Sequence, residues 1–125
     1  MQPPKAKILI IDDDENFLKT TQDILQDAGY GSSILSDPMK AEEYIEKDKP
    51  DLIIIDIIMP LRSGFNILED FESRNIYQDI PKIFLTALDD SNEKMVAHGL
   101  GVKAYIVKPF DPDDLISKIK ECLGE

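Results

Sequence analysis

This chain of 125 residues lacks several features that direct proteins to particular classes and compartments. It has no tryptophan and one cysteine, Cys122, so an internal disulfide is excluded. No apolar run approaches the roughly 20 residues that a membrane helix needs, and the first residues show no signal-peptide pattern. We therefore expect a cytoplasmic protein with no membrane partner, in which Cys122 is a small apolar residue of a terminal helix.

Clustered basic residues and glycine-rich phosphate loops are also missing. The chain has 25 acidic and 14 basic residues and a net charge of −11 at pH 7. Direct binding of nucleic acid is therefore not expected, because it rewards a basic face. Neither G-x-G-x-x-G nor G-K-[ST] occurs, which disfavours nucleotide binding. Several carboxylates fall at predicted strand ends, and this placement predicts a local cation site.

Short apolar runs alternate with helical patterns along the whole chain, without repeats or a second domain. The runs predict strands at residues 7–11, 31–35, 52–55, 82–86 and 104–107. This alternation predicts an α/β fold with a single doubly wound five-stranded parallel sheet and helices on both faces. Residues 1–6 are assigned to an N-terminal tail and residues 7–124 to the domain. The strand order does not follow from the alternation.

Helix starts are marked by capping residues between the strands. The first helix is predicted over residues 15–28, with Gly29 as its stop. The fourth helix is predicted to begin with a capping box at Asp90 to Glu93, and the fifth is predicted to begin at Asp111–Pro112. The second and third are predicted to begin at Asp37–Pro38 and at Ser63 or Gly64.

Polar groups stand where four of the predicted strands end. They are Asp12, Asp13 and Asp14 after the first strand, Asp56 after the third, Thr86 after the fourth and Lys108 after the fifth. Because the carboxyl ends of parallel strands meet at one edge of a sheet, we expect these groups to lie close together. Singly, Asp14 is explained as a helix cap, Thr86 as a β-branched strand residue and Lys108 as a solvated lysine. Together they favour a site.

A carboxylate cluster of this kind requires a cation. Each pair of unit charges at ~4 Å repels by about 4 kcal/mol at an effective dielectric of 20. Mg²⁺, with Mn²⁺ as an alternative, removes that cost and accepts carboxylate and phosphate oxygens as ligands. A metal, a lysine and a hydroxyl around Asp56 indicate phosphoryl transfer, with this carboxylate as the nucleophile.

Four segments of the chain resemble the receiver domain of two-component response regulators. They read Ile-Leu-Ile-Ile-Asp-Asp-Asp at 8–14, Asp-Leu-Ile-Ile-Ile-Asp-Ile-Ile-Met-Pro at 51–60, Leu-Thr-Ala at 85–87 and Ala-Tyr-Ile-Val-Lys-Pro-Phe at 104–110. The resemblance spans nearly the whole chain. It implies a flavodoxin-like sheet with strand order 2-1-3-4-5.

The resemblance also implies roles for the acidic residues. Asp56 would accept a phosphoryl group from a phosphohistidine of a sensor histidine kinase or a histidine phosphotransfer protein. Asp12 and Asp13 would hold Mg²⁺ together with Asp56 and the backbone carbonyl of Ile58. Asp14 would then be left as a helix cap, although a register shifted by one residue would change which two aspartates serve the metal.

Three further residues receive roles in the same way. Lys108 would contact the phosphoryl oxygens and precede a cis peptide bond to Pro109. Thr86 would move its hydroxyl onto the phosphoryl group, and Tyr105 would move inward behind it. The surface formed by helix 4, strand 5 and helix 5 would then bind a downstream effector protein or domain.

The expected protein is a signalling switch that catalyses only its own phosphotransfer and dephosphorylation, and is otherwise not an enzyme. Its neighbourhoods 103–105 and 111–114 lack the salt-bridging residues of receivers that dimerise through this surface, so an unphosphorylated monomer is expected. The chain fits either a stand-alone receiver or part of a longer protein. Apolar Ile58 and Leu88 predict slow self-dephosphorylation, because neither can position an attacking water.

Three other interpretations stay open. A haloacid-dehalogenase-like phosphatase would use the same aspartate nucleophile but needs an acidic residue where Ile58 stands. A degenerate receiver would act only as an interaction module. His98 as a phosphohistidine is disfavoured, because a lone histidine on an exposed helix is usually a surface residue.

Overall fold

The structure is a computed structural model and describes residues 5–87 and 91–125. Within these ranges five parallel strands form one sheet in the order β2-β1-β3-β4-β5. The strands are β1 (Lys7–Ile11), β2 (Gly31–Leu35), β3 (Leu52–Asp56), β4 (Lys82–Thr86) and β5 (Ala104–Val107). The predicted fold class and the strand order implied by the resemblance are both confirmed.

Helices cover both faces of the sheet. In the described ranges they are α1 (Glu15–Asp27), α2 (Ala41–Asp48), α3 (Gly64–Arg74), α4 (Ser91–Gly99) and α5 (Pro112–Leu123). Asp14 caps α1 through the backbone N–H of Phe17, and Ser63 and Asn66 form a reciprocal capping box on α3. None of the described helices has the length and apolar character needed to cross a bilayer.

The second helix differs from its prediction. Asp37 does begin a helical segment, but Pro38–Lys40 is a 3-10 turn, and α2 starts only at Ala41. The Asp37 side chain accepts a hydrogen bond from the Met39 backbone, which favours the tighter turn. The first helix ends one residue early at Asp27, and Gly29 follows with a φ of +93°. The predicted capping box starts at Asp90, which lies outside the described residues.

The core consists of two apolar layers separated by the sheet. One layer packs α2, α3 and α4 against the sheet, and the other packs α1 and α5. All five residues of β3 are buried, with Ile53 and Ile55 facing one layer and Leu52 and Ile54 the other. A central strand held on both sides in this way fixes the position of Asp56 at its carboxyl end.

Candidate functional site

Three aspartates meet at the carboxyl edge of the sheet. Ile11 of β1 pairs with Ile55 of β3, so Asp12 and Asp56 follow on neighbouring strands. Carboxylate oxygens of Asp12, Asp13 and Asp56 all lie within 4.8 Å of one another. Asp12 and Asp56 are buried, whereas Asp13 is exposed. The carboxylate of Asp14 instead accepts a hydrogen bond from the backbone nitrogen of Phe17 at 3.1 Å and so caps α1.

The Asp56 carboxylate has an unusual proton affinity. Burial raises its pKa from 3.8 to about 6, and repulsion from Asp12 and, more weakly, Asp13 adds to this effect. The ammonium of Lys108 and the backbone N–H of Ile58 oppose the rise, because both favour the ionised carboxylate. A perturbed carboxyl group in a cluster of charges is typical of functional sites.

Lys108 supplies the positive charge of the site. Its Nζ lies 2.6 Å from Oδ2 of Asp12 and 3.8 Å from Oδ2 of Asp56. Its backbone N–H donates to the carbonyl of Thr86 at 2.6 Å, and the peptide bond to Pro109 is cis, as the resemblance implied. The backbone of Lys108 is therefore held by β4, and its ammonium is held by the carboxylates.

An aromatic residue of α1 also contacts this lysine. The ammonium of Lys108 lies 3.9 Å from the centroid of the Phe17 ring, and Phe17 in turn packs edge-to-face on Phe110 at 5.9 Å. Attraction between a cation and an aromatic face stabilises the ammonium in this position. This role is not apparent from the sequence, where Phe17 at helical spacing predicts only a core residue.

The two predicted switch residues lie on neighbouring strands. Thr86 is fully buried at the end of β4, where it pairs with Val107. Tyr105 is half-buried on β5 against the layer that holds α2, α3 and α4, and Lys94 of α4 lies 5.4 Å from its ring centroid. The structure thus brings Asp12, Asp13, Asp56 and Lys108 together, with Thr86 at the end of the adjacent strand and Tyr105 further along β5.

The donor set fits a hard divalent cation. The cluster offers carboxylate oxygens and no sulfur or nitrogen ligand, which is the chemistry preferred by Mg²⁺ and Mn²⁺. Burial and, after it, repulsion from Asp12 raise the pKa of Asp56, and a bound cation would relieve that repulsion. The Ile58 backbone adjoins the same carboxylate, while its side chain is exposed. Leu88 lies outside the described residues.

Gly64 is a second residue that the sequence analysis did not assign to the site. A Cβ at this position would lie 2.6 Å from the backbone oxygen of Asp56 and 3.0 Å from Cα of Ile57. The backbone N–H of Gly64 donates to the carbonyl of Ile57 at 2.8 Å. A glycine is therefore required for α3 to begin this close to the acceptor strand. In the sequence, its requirement for glycine is indicated only by its position at the start of the helix after Asp56.

The chain is similar in sequence to receiver domains of response regulators. A family model described as the response regulator receiver domain matches residues 8–120. A probable transcriptional regulator ycf29 of Porphyra purpurea is 34% identical over 93% of this chain and 56% of its own length. The alkaline phosphatase synthesis regulator PhoP of Bacillus subtilis is 32% identical over 94% of this chain and 48% of its own length. The chain spans about half the length of such relatives.

Solved structures match over nearly their whole length. The chemotaxis protein CheY4 of Vibrio cholerae has a TM-score of 0.87 and 30% identity, over 94% of this chain and 98% of its own. A CheY-like receiver domain protein of Methanospirillum hungatei has a TM-score of 0.84 and 32% identity, over 98% of this chain and 95% of its own.

Proposed function

The chain belongs to the family of response regulator receiver domains, and from this premise we propose that it is a phosphorylation-activated switch of two-component signalling. One observation carries the proposal: the carboxylate oxygens of Asp12, Asp13 and Asp56 lie within 4.8 Å of one another, and the Lys108 ammonium lies 2.6 Å from Asp12 and 3.8 Å from Asp56. A sensor histidine kinase or a histidine phosphotransfer protein is the proposed donor. The proposed acceptor atom is a carboxylate oxygen of Asp56.

Each residue of the site has a defined role in the proposed phosphoryl transfer. The Asp56 oxygen attacks phosphorus, so that a P–O bond forms while the P–N bond to the donor imidazole breaks. The ammonium of Lys108, already between two carboxylates, neutralises charge on the phosphoryl oxygens. Asp12, Asp13, Asp56 and the Ile58 carbonyl would hold Mg²⁺. When bound, the metal supplies further charge neutralisation at the same oxygens.

The resulting acyl phosphate changes the surface of α4, β5 and α5 through Thr86 and Tyr105. Phosphorylation adds negative charge and acceptor oxygens at the end of β3, and Thr86 ends the adjacent strand. On α4, Met95 and Val96 are 73% and 54% exposed, which leaves apolar surface for a downstream effector protein or domain. Binding of that partner then selects the phosphorylated population.

Turnover of an external phosphate ester is not part of the proposal. A phosphatase that forms an aspartyl phosphate needs an acid–base residue beside the nucleophile, and the residue two positions after Asp56 is Ile58, with a hydrocarbon side chain. The protein is therefore proposed to catalyse only its own phosphotransfer and dephosphorylation, rather than to act as an enzyme on other substrates.

A phosphotransfer assay tests the proposal directly. Incubation with acetyl phosphate and Mg²⁺ should add one phosphoryl group to the intact protein, detected by mass spectrometry. Asp56→Asn should abolish the addition. Asp14→Asn is the matched control, because asparagine also caps helices and Asp14 lies outside the cluster. Labelling that persists in Asp56→Asn, or no labelling of the wild type, would contradict the proposed acceptor.

The unphosphorylated protein is proposed to be a monomer. The neighbourhoods of β5 and of the α5 start read Lys103-Ala104-Tyr105 and Asp111-Pro112-Asp113-Asp114, without an arginine for dimer salt bridges. Sedimentation with and without beryllofluoride, which mimics the phosphoryl group, measures the state. A stable dimer in the metal-free protein would exclude this part of the proposal.

A further inference from the structure

The loop that joins β3 to α3 follows directly on Asp56. Buried and exposed side chains alternate along its first residues. Ile57 and Met59 are buried in the core, whereas Ile58 and Leu61 are 56% and 91% exposed. The backbone of Ile57 is bonded at both its N–H, to Leu85, and its carbonyl, to Gly64. Only the stretch from Pro60 to Ser63 has no buried side chain in the core.

A strained turn occupies that stretch. The backbone N–H of Arg62 donates to the carbonyl of Pro60 at 2.8 Å, and Leu61 between them has a φ of +71°. A hydrogen bond that spans one residue of positive φ defines the rare form of γ-turn, which is unfavourable for a residue with a side chain. The Leu61 side chain is exposed, so its packing does not offset the cost of the positive φ. Some other interaction must therefore keep the turn in place.

The side chain of Arg62 makes that interaction. Its guanidinium forms a bidentate pair with Glu42 of α2 at 2.6 and 2.8 Å and also contacts Asp70 of α3 at 2.8 Å. A further bond reaches the carbonyl of Pro38 in the 3-10 turn at 3.2 Å. The arginine side chain is only 11% exposed, and its bond to Glu42 lowers the pKa of that carboxyl group. Charge-assisted bidentate contacts of this kind are stronger than surface ion pairs.

We propose that Arg62 is a positioning residue that holds the strained turn at Leu61 and thereby keeps the backbone of Ile58 in place at the acceptor site. Without these contacts the turn relaxes toward negative φ and displaces the loop. The backbone of Ile58 then shifts relative to the Asp56 carboxylate that it adjoins, and its carbonyl shifts relative to the proposed metal site. Only the metal step rests on the proposed function, because the metal-free protein already reports the position of Ile58.

Amide exchange and chemical shifts in the metal-free protein test the first step. Arg62→Met should accelerate hydrogen exchange at the Ile58 amide and shift its resonance. Arg74→Met is the matched control, because Arg74 also pairs with Glu42, at 3.2 Å, but its side chain is 57% exposed and lies on α3 outside the loop. An Ile58 amide that is unchanged in Arg62→Met, or equally changed in Arg74→Met, would overturn the proposal.

A rescue experiment separates positioning from general stability. Leu61→Gly removes the penalty of positive φ, so the double variant Leu61→Gly/Arg62→Met should recover the Ile58 amide shift of the wild type. Mg²⁺ affinity, titrated on the same resonance, should fall by about tenfold or more in Arg62→Met and recover in the double variant. Absence of recovery would overturn the strain argument. If the wild type itself binds no Mg²⁺, the proposed function fails, while the metal-free measurement still decides the role of Arg62.

Discussion

The ammonium of Lys108, in the loop after β5, lies 3.9 Å from the centroid of the Phe17 ring on α1. The same ammonium contacts Asp12 at 2.6 Å. An aromatic face therefore lies beside an ion pair at the edge of the sheet and restricts where the lysine can go. This arrangement links the first helix to a residue that is proposed to bind the phosphoryl group.

Replacing the ring should slow phosphotransfer. Phe17→Leu keeps an apolar side chain but removes the aromatic face, which is worth about 0.5–2 kcal/mol to a nearby cation. Labelling by acetyl phosphate should therefore slow by about 2- to 30-fold. The control is Phe65→Leu, which removes a ring that packs on Phe84 in the other apolar layer. Equal rates for Phe17→Leu and the wild type would exclude a role for the ring.

The metal-free protein should lose stability as Asp56 ionises. Its pKa is about 6 in the folded state and 3.8 in the reference state, so the folded protein binds this proton more tightly. The destabilising contribution is absent below about pH 4 and builds up as pH rises to about 6. At pH 7.5 Asp56→Asn should exceed the wild type in free energy of unfolding by at most about 3 kcal/mol.

Urea unfolding of both proteins at several pH values measures this difference. Carboxylates outside the cluster contribute equally to both proteins, so the difference reports the ionisation of Asp56 together with its coupling to Asp12 and Asp13. Adding Mg²⁺ at pH 7.5 should reduce the difference in free energy of unfolding between the two proteins, because a cation that binds the ionised cluster stabilises the folded wild type. A difference that stays constant between pH 4 and 7 would show that the Asp56 carboxylate is not destabilised by its surroundings.

Adding a methyl group at Gly64 should disturb both stability and labelling. The Cβ of Gly64→Ala would meet backbone atoms of Asp56 and Ile57 at 2.6 and 3.0 Å, and these cannot move without shifting β3. We expect a loss of about 1–3 kcal/mol in the free energy of unfolding, together with slower labelling. Gly99→Ala in α4 is the control, since its Cβ would meet no atom within 4 Å. Comparable stability of the two variants would contradict the close approach.

The aspartyl phosphate should persist once formed. The Ile58 side chain is 56% exposed and offers no hydrogen bond to an attacking water. We expect a half-life above about a minute with Mg²⁺ present and no phosphatase, and a shorter one in Ile58→Asn. Loss of labelled protein after removal of acetyl phosphate gives both values. A wild-type half-life below that limit would refute the prediction of slow self-dephosphorylation.

Features that depend on local composition, and on polar residues placed at strand ends, could be predicted from the sequence. Four strand ranges match the structure, and the third is extended by Asp56. Asp14 separates correctly from Asp12 and Asp13, because a helix cap and a strand-end carboxylate occupy different positions on the chain. Strand order and the cis bond at Pro109 came from the family resemblance.

Other features could not be predicted because they depend on contacts between distant segments. The pair formed by Arg62 and Glu42 joins residues 20 positions apart, and in the sequence both read as ordinary solvated charges. Leucine at position 61 gives no signal of positive φ, because only glycine and asparagine commonly mark it. The 3-10 turn after Asp37 reflects a local hydrogen bond that competes with the α-helix.

Asp12 and Lys108 are separated by 96 residues, yet they form one ion pair. Bringing these two residues together requires β5 to dock on β4, and closing so long a stretch of chain has an entropic cost. A chain that stops before residue 108 lacks this lysine and also the core residues of α5. The proposed phosphoryl-binding lysine is therefore supplied from the far end of the chain, and the site is complete only when β5 is docked on β4.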